Sequence, residues 1–183
     1  MRLFTTQDET SKLVDQCRKG SSQAQYKLYK LYSKAMYNTS LRIVRNKEEA
    51  EDVTQEAFLD GFMKIDMFRG ESTFGAWLKT IVVNKSIAKI RSTKLQFDEF
   101  DPDKQDITDI EEQDFEDNEN TIQIIKRLID KLSSGYRLVL NLYLFEGYDH
   151  REISEILGIS EVTSRSQYIR AKQRLLELYN LQK

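Results

Sequence analysis

The sequence predicts an all-α protein in which two small helical domains are joined by an acidic linker. Turn-forming residues are scarce, with 7 Gly and 1 Pro among 183 residues, which favours helices. Apolar residues recur at helical spacing in most of the chain, and no segment shows strand-like alternation. Segment 98–120 holds twelve acidic residues and one Lys, and such like charges favour a solvated linker. We therefore expect domains at 1–97 and 121–183, with the linker at 98–120 between them.

Four helices are predicted in the N-terminal domain. The first covers 10–19 and the second covers 22–44, each with apolar residues at helical spacing. Asn46 can cap a third helix, and Ser72 can cap a fourth helix that continues to about Leu95, because short polar side chains accept hydrogen bonds from the first backbone N–H groups. The C-terminal domain should also hold four helices, which begin near 121, cover 136–145 and form a pair within 149–174.

The segment 149–174 has the layout of a helix-turn-helix. Asp149 and Glu152 stand at the spacing of a capping box for the first helix of the pair. Gly158 suits the position after a helix end, where the backbone often takes a positive φ. Ser160 can then cap the second helix. In a helix-turn-helix, the second helix enters the DNA major groove.

The second helix of this pair carries polar and basic side chains on one face. Arg165 and Ile169 are four residues apart, as are Ser166 and Arg170, so all four share a face. Arg can bond guanine, Ser can bond several bases, and an aliphatic side chain can touch a thymine methyl group. The alternative is an ordinary helical hairpin with a solvated basic face. The turn, the caps and the polar face together favour DNA reading.

The formal net charge of −2 hides a division of charge along the chain. The linker 98–120 carries a net charge of −11, and the rest of the chain has 27 basic and 18 acidic residues. Cations cluster on the predicted fourth helix, at Lys85, Lys89 and Arg91. We expect them to contact DNA phosphates rather than solvent alone. The neighbouring Trp77 is expected to pack in the core rather than to stack on a base.

Composition argues against an enzyme, a metalloprotein or a membrane protein. Cys17 is the single cysteine, which excludes an internal disulfide and a cysteine-based metal cluster and fits the cytoplasm. The one histidine, His150, is interpreted as a surface residue at a helix start. No phosphate-binding glycine loop, nucleophile elbow or zinc motif occurs, and no apolar run approaches the roughly 20 residues that span a bilayer. We therefore expect no catalysis, no cofactor, no metal and no membrane insertion.

Three motifs occur in order along the chain and carry a family resemblance. They are EEAEDVTQEAF at 48–58, FRGESTFGAWLKTIVVN at 68–84 and the segment 132–176. Together they resemble a bacterial RNA polymerase sigma factor of the extracytoplasmic-function (ECF) class in the sigma-70 family. The resemblance implies a promoter-specificity subunit that binds core RNA polymerase, recognises −35 and −10 elements and helps to open the DNA. It also implies a region-2-type N-terminal domain and a region-4-type C-terminal domain.

The resemblance further implies roles for individual residues. Core polymerase, through the β′ coiled coil, would bind Asp52, Gln55 and Glu56. The loop 68–74 would capture a flipped base of the −10 element, with Asn84 as a wedge where the strands separate. The full −10 set is Phe68, Arg69, Ser72, Trp77, Asn84, Lys85, Lys89 and Arg91. The −35 set is Thr163, Arg165, Ser166, Gln167, Ile169 and Arg170.

Two positions depart from the family pattern. Ala88 stands where many members have an acidic residue, and Gln167 replaces a phosphate-binding Arg, although Gln can still bond a phosphate or a base. The implied partners are the β′ and β subunits of core polymerase, duplex and melted promoter DNA, and an anti-sigma factor. A stand-alone helix-turn-helix regulator is the alternative function, but it would not need the residues at 52–56 or 68–84. An enzyme, such as a nuclease that binds metal through the acidic strip, is the third alternative.

Overall fold

The computed structural model describes residues 7–95 and 121–181. Across these ranges the chain forms eight α-helices and one short 3-10 helix, with no strand. The helices belong to two compact units, one within 1–98 and the other within 99–183. The prediction of an all-α protein with two helical domains is confirmed. The acidic linker at 98–120 lies outside the described residues, and the predicted domain boundaries stay predictions.

The N-terminal unit contains four α-helices and the 3-10 helix. Their bounds are α1 Gln7–Arg18, α2 Ser22–Val44, α3 Lys47–Met63, the 3-10 helix Ile65–Met67 and α4 Phe74–Leu95. Helix α2 has the predicted bounds, whereas α1 begins earlier than residue 10. Helices α2, α3 and α4 pack against one another, and α1 packs on α2.

The core of the N-terminal unit is formed by the apolar faces of these helices. Its buried side chains include Leu28, Phe58, Leu78 and Val82. Cys17 is also buried here, and burial raises the pKa of its thiol, because a thiolate is poorly solvated in an apolar environment. Cys17 is therefore part of the packed core of this unit.

The start of α4 is held close to α2 by a glycine contact. A side chain at Gly75 would place its Cβ 2.7 Å from Cε1 of Tyr32, so this position needs a residue without a Cβ. Deeper in the unit, the Ser86 hydroxyl donates to the Ser40 hydroxyl at 3.1 Å, which joins α4 to α2 again. These contacts position the loop that precedes α4.

The prediction that Ser72 caps α4 is wrong by one residue. The hydroxyl of Thr73 accepts a hydrogen bond from the Ala76 backbone N–H at 3.2 Å, and α4 begins at Phe74. Either hydroxyl has the chemistry of a cap, so local sequence does not distinguish them. Burial of Phe74, the first core residue of the helix, agrees with the later start.

The C-terminal unit contains the remaining four helices. Their bounds are α5 Thr121–Asp130, α6 Ser134–Leu144, α7 His150–Leu157 and α8 Glu161–Asn180. Helix α8 packs against α5, α6 and α7. One buried cluster includes Ile129, Leu132, Leu140 and Ala171. Helix α6 begins two positions before the predicted start at 136.

The predicted helix-turn-helix is formed by α7 and α8. The Asp149 side chain accepts from the Glu152 backbone N–H, and the Glu152 side chain accepts from the Asp149 N–H, both at 2.8 Å. Gly158 adopts a φ of 65° at the end of α7. The Ser160 hydroxyl accepts from the Thr163 N–H at 3.0 Å. The capping box, the left-handed glycine and the second cap are all confirmed.

Candidate nucleic-acid and polymerase interfaces

The outward face of α3 carries the three polar residues predicted to bind polymerase. Asp52, Gln55 and Glu56 are all exposed, while the residues between them are buried. Their spacing of three and four residues places them on one side of the helix. Asn46 sets the start of this helix, since its side chain accepts from the Glu49 N–H at 3.0 Å. The predicted polar surface therefore exists as one continuous face.

Exposed apolar side chains extend this face toward the end of α3. Leu59 is 62% exposed and Met63 is 74% exposed, and both follow Glu56 at helical spacing. Met67, just beyond the helix, is also exposed. Sequence reasoning missed this extension. The signal was present, because Leu59 and Met63 fall out of phase with the buried positions of α3.

Lys85, predicted to hold the DNA backbone, is paired with carboxylates of α3. Its ammonium group lies 3.1 Å from Oδ2 of Asp60 and 3.4 Å from Oε2 of Glu56. Glu56 belongs to the predicted polymerase surface. One ion-pair network therefore joins a residue predicted to bind polymerase to a residue predicted to bind DNA.

The protonation behaviour of this network follows from its geometry. The hydrogen bond from Lys85 holds the pKa of Asp60 below its ordinary value. Burial acts to lower the pKa of Lys85, but hydrogen bonds to Asp60 and Glu56, together with their charges, raise it overall. Both shifts favour the charged forms, so the ion pairs persist across neutral pH.

The other predicted contacts on α4 lie along its solvent side. The ammonium group of Lys89 is 4.0 Å from Oε1 of Glu49, which repeats the pairing of α4 with α3 about three turns of α3 away from Asp60. Asn84 and Arg91 are exposed. The structure thus brings the predicted wedge and the predicted backbone contacts onto one helix, with two lysines held by acidic residues.

The loop 68–74 is anchored by Phe68. This side chain is 8% exposed, and its ring lies 5.8 Å from the Phe74 ring and 5.4 Å from the Trp77 ring, centroid to centroid. The guanidinium of Arg18 donates to the backbone carbonyl of Phe68. Phe68 was predicted among the DNA contacts, but its ring faces the core and the loop tip carries the exposed Arg69 instead.

A cavity of about 280 Å³ opens beside this loop. Its lining combines apolar rings with hydroxyl groups. The lining residues are Thr10, Ser11, Val14, Tyr32, Phe68, Gly70, Ser72, Thr73 and Phe74. Flat apolar surfaces beside hydrogen-bonding groups are what a captured base requires. Helix α1 contributes to this wall, which sequence reasoning missed because that contact is distant along the chain.

Trp77 is half-buried and packs against the core. Its ring centroid lies 5.7 Å from that of Phe74. The expectation that Trp77 packs in the core is therefore confirmed. Part of the ring remains accessible, so a role for Trp77 at the −10 element stays a prediction.

The outward face of α8 carries most of the residues predicted to read the −35 element. Arg165, Ile169 and Arg170 are exposed, and Thr163 and Ser166 are half-buried. The hydroxyl of Ser166 donates to the Thr163 carbonyl at 3.0 Å. Arg165 donates to the Glu161 carboxylate one turn earlier, through Nε at 3.2 Å. These side chains form one outward surface on α8.

Gln167 does not belong to that surface. It is 6% exposed, and it shares the inner side of α8 with the buried Ser164 and Ala171. Their spacing of three and four residues turns all of them toward the other helices of the unit. This placement does not support the prediction that Gln167 contacts DNA, because helical phase turns its side chain toward the core.

His150 is more than the surface residue predicted from the sequence. Its Nδ1 lies 2.9 Å from the hydroxyl of the buried Ser164, and its ring stacks on that of Tyr143. Sequence reasoning missed this cluster because its members come from three separate helices. The available signal was Ser164, a polar residue on the inner face of α8, because a buried hydroxyl needs a hydrogen-bond partner.

The described residues also bear on the expectations about membrane-spanning helices and groups of metal-binding side chains. Among the described residues, no helix combines the length and apolar composition that crossing a bilayer requires. Within ranges 7–95 and 121–181, no group of three or more His, Cys, Asp or Glu side chains is placed to hold a metal ion.

Family models match both units. The model described as Sigma-70 region 2 matches residues 28–96, and the model described as Sigma-70, region 4 matches residues 122–175. The chain belongs to the sigma-70 family. As a sigma factor with both regions, it is a promoter-specificity subunit for transcription initiation. The α3 face, the loop and α4 lie in the region-2 match, and the helix-turn-helix lies in the region-4 match.

Curated relatives identify this sigma factor as a member of the ECF class. It is 28% identical to the RNA polymerase sigma-H factor of Pseudomonas aeruginosa, over 93% of each chain. It is also 28% identical to the ECF RNA polymerase sigma-E factor of Escherichia coli, covering 89% of this chain and 90% of that one. The match to ECF RNA polymerase sigma factor SigM of Bacillus subtilis is 28% identical and covers 84% and 93%.

Solved structures share the fold. The sigma factor RpoE from Bartonella quintana, in complex with the anti-sigma factor NepR, aligns with a TM-score of 0.58 at 23% identity, covering 86% of this chain and 98% of that one. CnrH, in complex with the cytosolic domain of CnrY, aligns with a TM-score of 0.56 at 21% identity, covering 93% and 97%.

Proposed function

We propose that this sigma factor binds core RNA polymerase, directs it to promoters with −35 and −10 elements, and helps to separate the DNA strands. The observation that carries the proposal is the order of three surfaces in one chain. An exposed polar face on α3 is followed by a cavity-bearing loop with a cationic helix, and then by a recognition helix. A stand-alone regulator would need the last of these alone.

The face of α3 is the proposed docking site for the β′ subunit. Asp52, Gln55 and Glu56 provide hydrogen-bond acceptors and a donor, and the exposed Leu59 and Met63 provide apolar area. Interfaces gain most of their affinity where apolar side chains become fully desolvated and polar groups surround them. The family resemblance also implies contact with the β subunit.

The loop 68–74 and α4 are the proposed −10 unit. Extrusion of a base from the stack costs a few kcal/mol, which contacts in the cavity must offset. Phe68 would act as a wall of that cavity, while Arg69 and Ser72 are exposed on the loop. Asn84 would separate the strands beside it. The cations of α4 would hold the backbone of the opened strand.

The outward face of α8 is the proposed −35 reader. Arg165 and Arg170 would bond guanine, Ile169 would touch a thymine methyl group, and Ser166 would bond a base edge. Thr163 at the start of α8 lies where recognition helices approach the groove. Gln167 is left out of this assignment because it is buried.

Three further assignments follow from the proposed role. As a subunit that directs core polymerase to promoters, this chain would have no catalysis of its own. It would act in the cytoplasm, together with the polymerase and the promoter. RpoE and CnrH are complexed with NepR and CnrY in the solved structures. We assign this chain an anti-sigma partner by analogy with them.

The direct test is a pull-down of core polymerase with the double variant Asp52→Ala, Gln55→Ala. We expect binding to weaken at least about tenfold, equivalent to roughly 1.4 kcal/mol, with unchanged helicity. The matched control is Asp15→Ala, Gln16→Ala, which removes an exposed acid and amide pair from α1. Equal binding by wild type and both variants would contradict the assignment of the α3 face.

A further inference from the structure

We propose that His150 is a positioning residue for promoter reading. It joins the recognition helix α8 to α6 and α7, and so sets the direction in which Arg165 and Ile169 point. The inference rests on the proposed role of α8 at the −35 element. His150 itself would touch no base.

The first observation is a polar contact between two helices. Nδ1 of His150, the first residue of α7, lies 2.9 Å from the hydroxyl of Ser164 in the first turn of α8. Ser164 has no exposed surface, so its hydroxyl meets the imidazole and not solvent. Loss of this contact would leave a buried hydroxyl in need of another partner, which disfavours the present position of α8.

The second observation is a cluster of rings around His150. The imidazole stacks on Tyr143 of α6 with 4.8 Å between centroids and 18° between planes. Tyr168 of α8 meets the imidazole edge-on at 5.6 Å and lies 4.5 Å from Tyr143. Three helices therefore meet at one side chain, through a hydrogen bond to Ser164, a stacked contact with Tyr143 and an edge contact with Tyr168.

The third observation is the register of this cluster along α8. Ser164 and Tyr168 are four residues apart, and each directly precedes a proposed reader, Arg165 or Ile169. The inner pair and the outer pair thus lie on the same two turns of the helix. Any rotation or shift of α8 that broke the contacts of His150 would move both readers.

Histidine suits this position because it combines two properties in one ring. Phenylalanine would keep the stacking surface and lose the hydrogen bond. Asparagine would keep a polar atom near the place of Nδ1 and lose the ring. The variants His150→Phe and His150→Asn therefore separate the two contributions, and Ser164→Ala removes the hydrogen bond from the other side.

The test uses holoenzyme reconstituted from the full chain and core polymerase. Transcription is measured from a promoter selected for the wild type and from its single-base variants in the −35 element. We expect His150→Phe to reduce the preference at the contacted positions about tenfold, the size of one lost base contact. Ser164→Ala should do the same, and the double variant should lose no more than either single variant, because both remove one interaction.

The matched control is Ser154→Ala. The Ser154 hydroxyl donates to the Arg151 carbonyl within α7, so its removal should leave the base preference unchanged. His150→Asn should retain more preference than His150→Phe. Thermal unfolding by circular dichroism identifies any variant that fails to fold, and in that case Ser164→Ala and His150→Asn decide the result.

Two outcomes would overturn the inference about His150 and leave the proposed function standing. One is a wild type that initiates selectively while His150→Phe and Ser164→Ala keep its base preference. The other is an equal loss on every promoter variant, which would indicate stability rather than positioning. A wild-type holoenzyme that initiates at no specific site would instead overturn the proposed function, and the inference with it.

Discussion

The two units hold the cations that we propose as DNA contacts in different ways. In the N-terminal unit, Lys85 on α4 meets Glu56 and Asp60 on α3. In the C-terminal unit, Arg165 meets Glu161 one turn earlier on the same helix. The first arrangement joins two helices, and the second lies within one helix.

This difference separates two kinds of surface. A pair within one helix opens by side-chain rotation, so Arg165 could leave Glu161 for the proposed base contact without any change in packing. The α3–α4 pairs also involve Glu56, a residue of the proposed polymerase face. A substitution on α3 would therefore alter the charges around Lys85, whereas a substitution on the outer face of α8 should act locally.

The largest expected effect tests whether the two units unfold separately. Leu78→Ala removes a fully buried side chain of the N-terminal core and should destabilise that unit by about 2–5 kcal/mol. Leu140→Ala should do the same for the C-terminal unit. Trp77, the single tryptophan, reports the N-terminal unit by fluorescence in urea, and circular dichroism reports both.

We expect Leu78→Ala to shift the tryptophan transition and Leu140→Ala to leave it in place. If Leu140→Ala shifted that transition as much as Leu78→Ala does, the chain would unfold as one cooperative body. The α3–α4 pairs and the outer face of α8 would then belong to one cooperative body, and the contrast between them would not be a contrast between two independent units.

A smaller effect tests the local character of the α8 face. Arg165→Ala should cost about 1–3 kcal/mol at one promoter position and relax the base preference there. The matched control is Arg174→Ala on the same helix, where the side chain pairs with Glu177 at 2.9 Å. Competition binding of holoenzyme to promoter variants measures both. A uniform loss over all sequences would indicate a phosphate contact instead.

The smallest effect concerns the pH dependence of the α3–α4 pairs. Because the pKa of Asp60 is lowered from 3.8, its pairing stabilises the folded unit fully above that pH. The stabilisation is lost as the pH falls through the lower folded value. Because the pKa of Lys85 is raised from 10.5, its share is full below that pH and is lost as the pH rises through the folded value.

Asp60→Asn should therefore lower the urea midpoint of the tryptophan transition at pH 7, with a difference from wild type that shrinks in acid below pH 3.8. The control Asp66→Asn changes an exposed acid in the adjoining 3-10 helix. A difference that stayed constant into acid would show that the Asp60–Lys85 pair does not contribute as the geometry indicates.

Local chemistry explains which features the sequence predicted correctly. A cap and its partner are three residues apart, so Asn46, the Asp149–Glu152 box and Ser160 were all identified from spacing. Gly158 was identified because few other residues adopt its backbone conformation. The exposed face of α8 also followed from helical spacing, whereas the polar face of α3 was predicted from the family resemblance.

Contacts between distant segments explain what was missed. Gln167 was predicted to contact DNA because the family pattern has a phosphate-binding Arg there, but the packing of α8 turns it inward. The ring of Phe68 faces the core because it meets Trp77, and the Lys85 pairs depend on how α3 lies against α4. Spacing along one helix carries no information about which partner helix covers its other side.

The most direct test of the account is transcription by core polymerase with this chain on a library of genomic fragments. We predict transcripts from a defined set of start sites that share two spaced sequence elements upstream, and none of these starts with core polymerase alone. Identical start sites in the presence and absence of the chain would contradict the account.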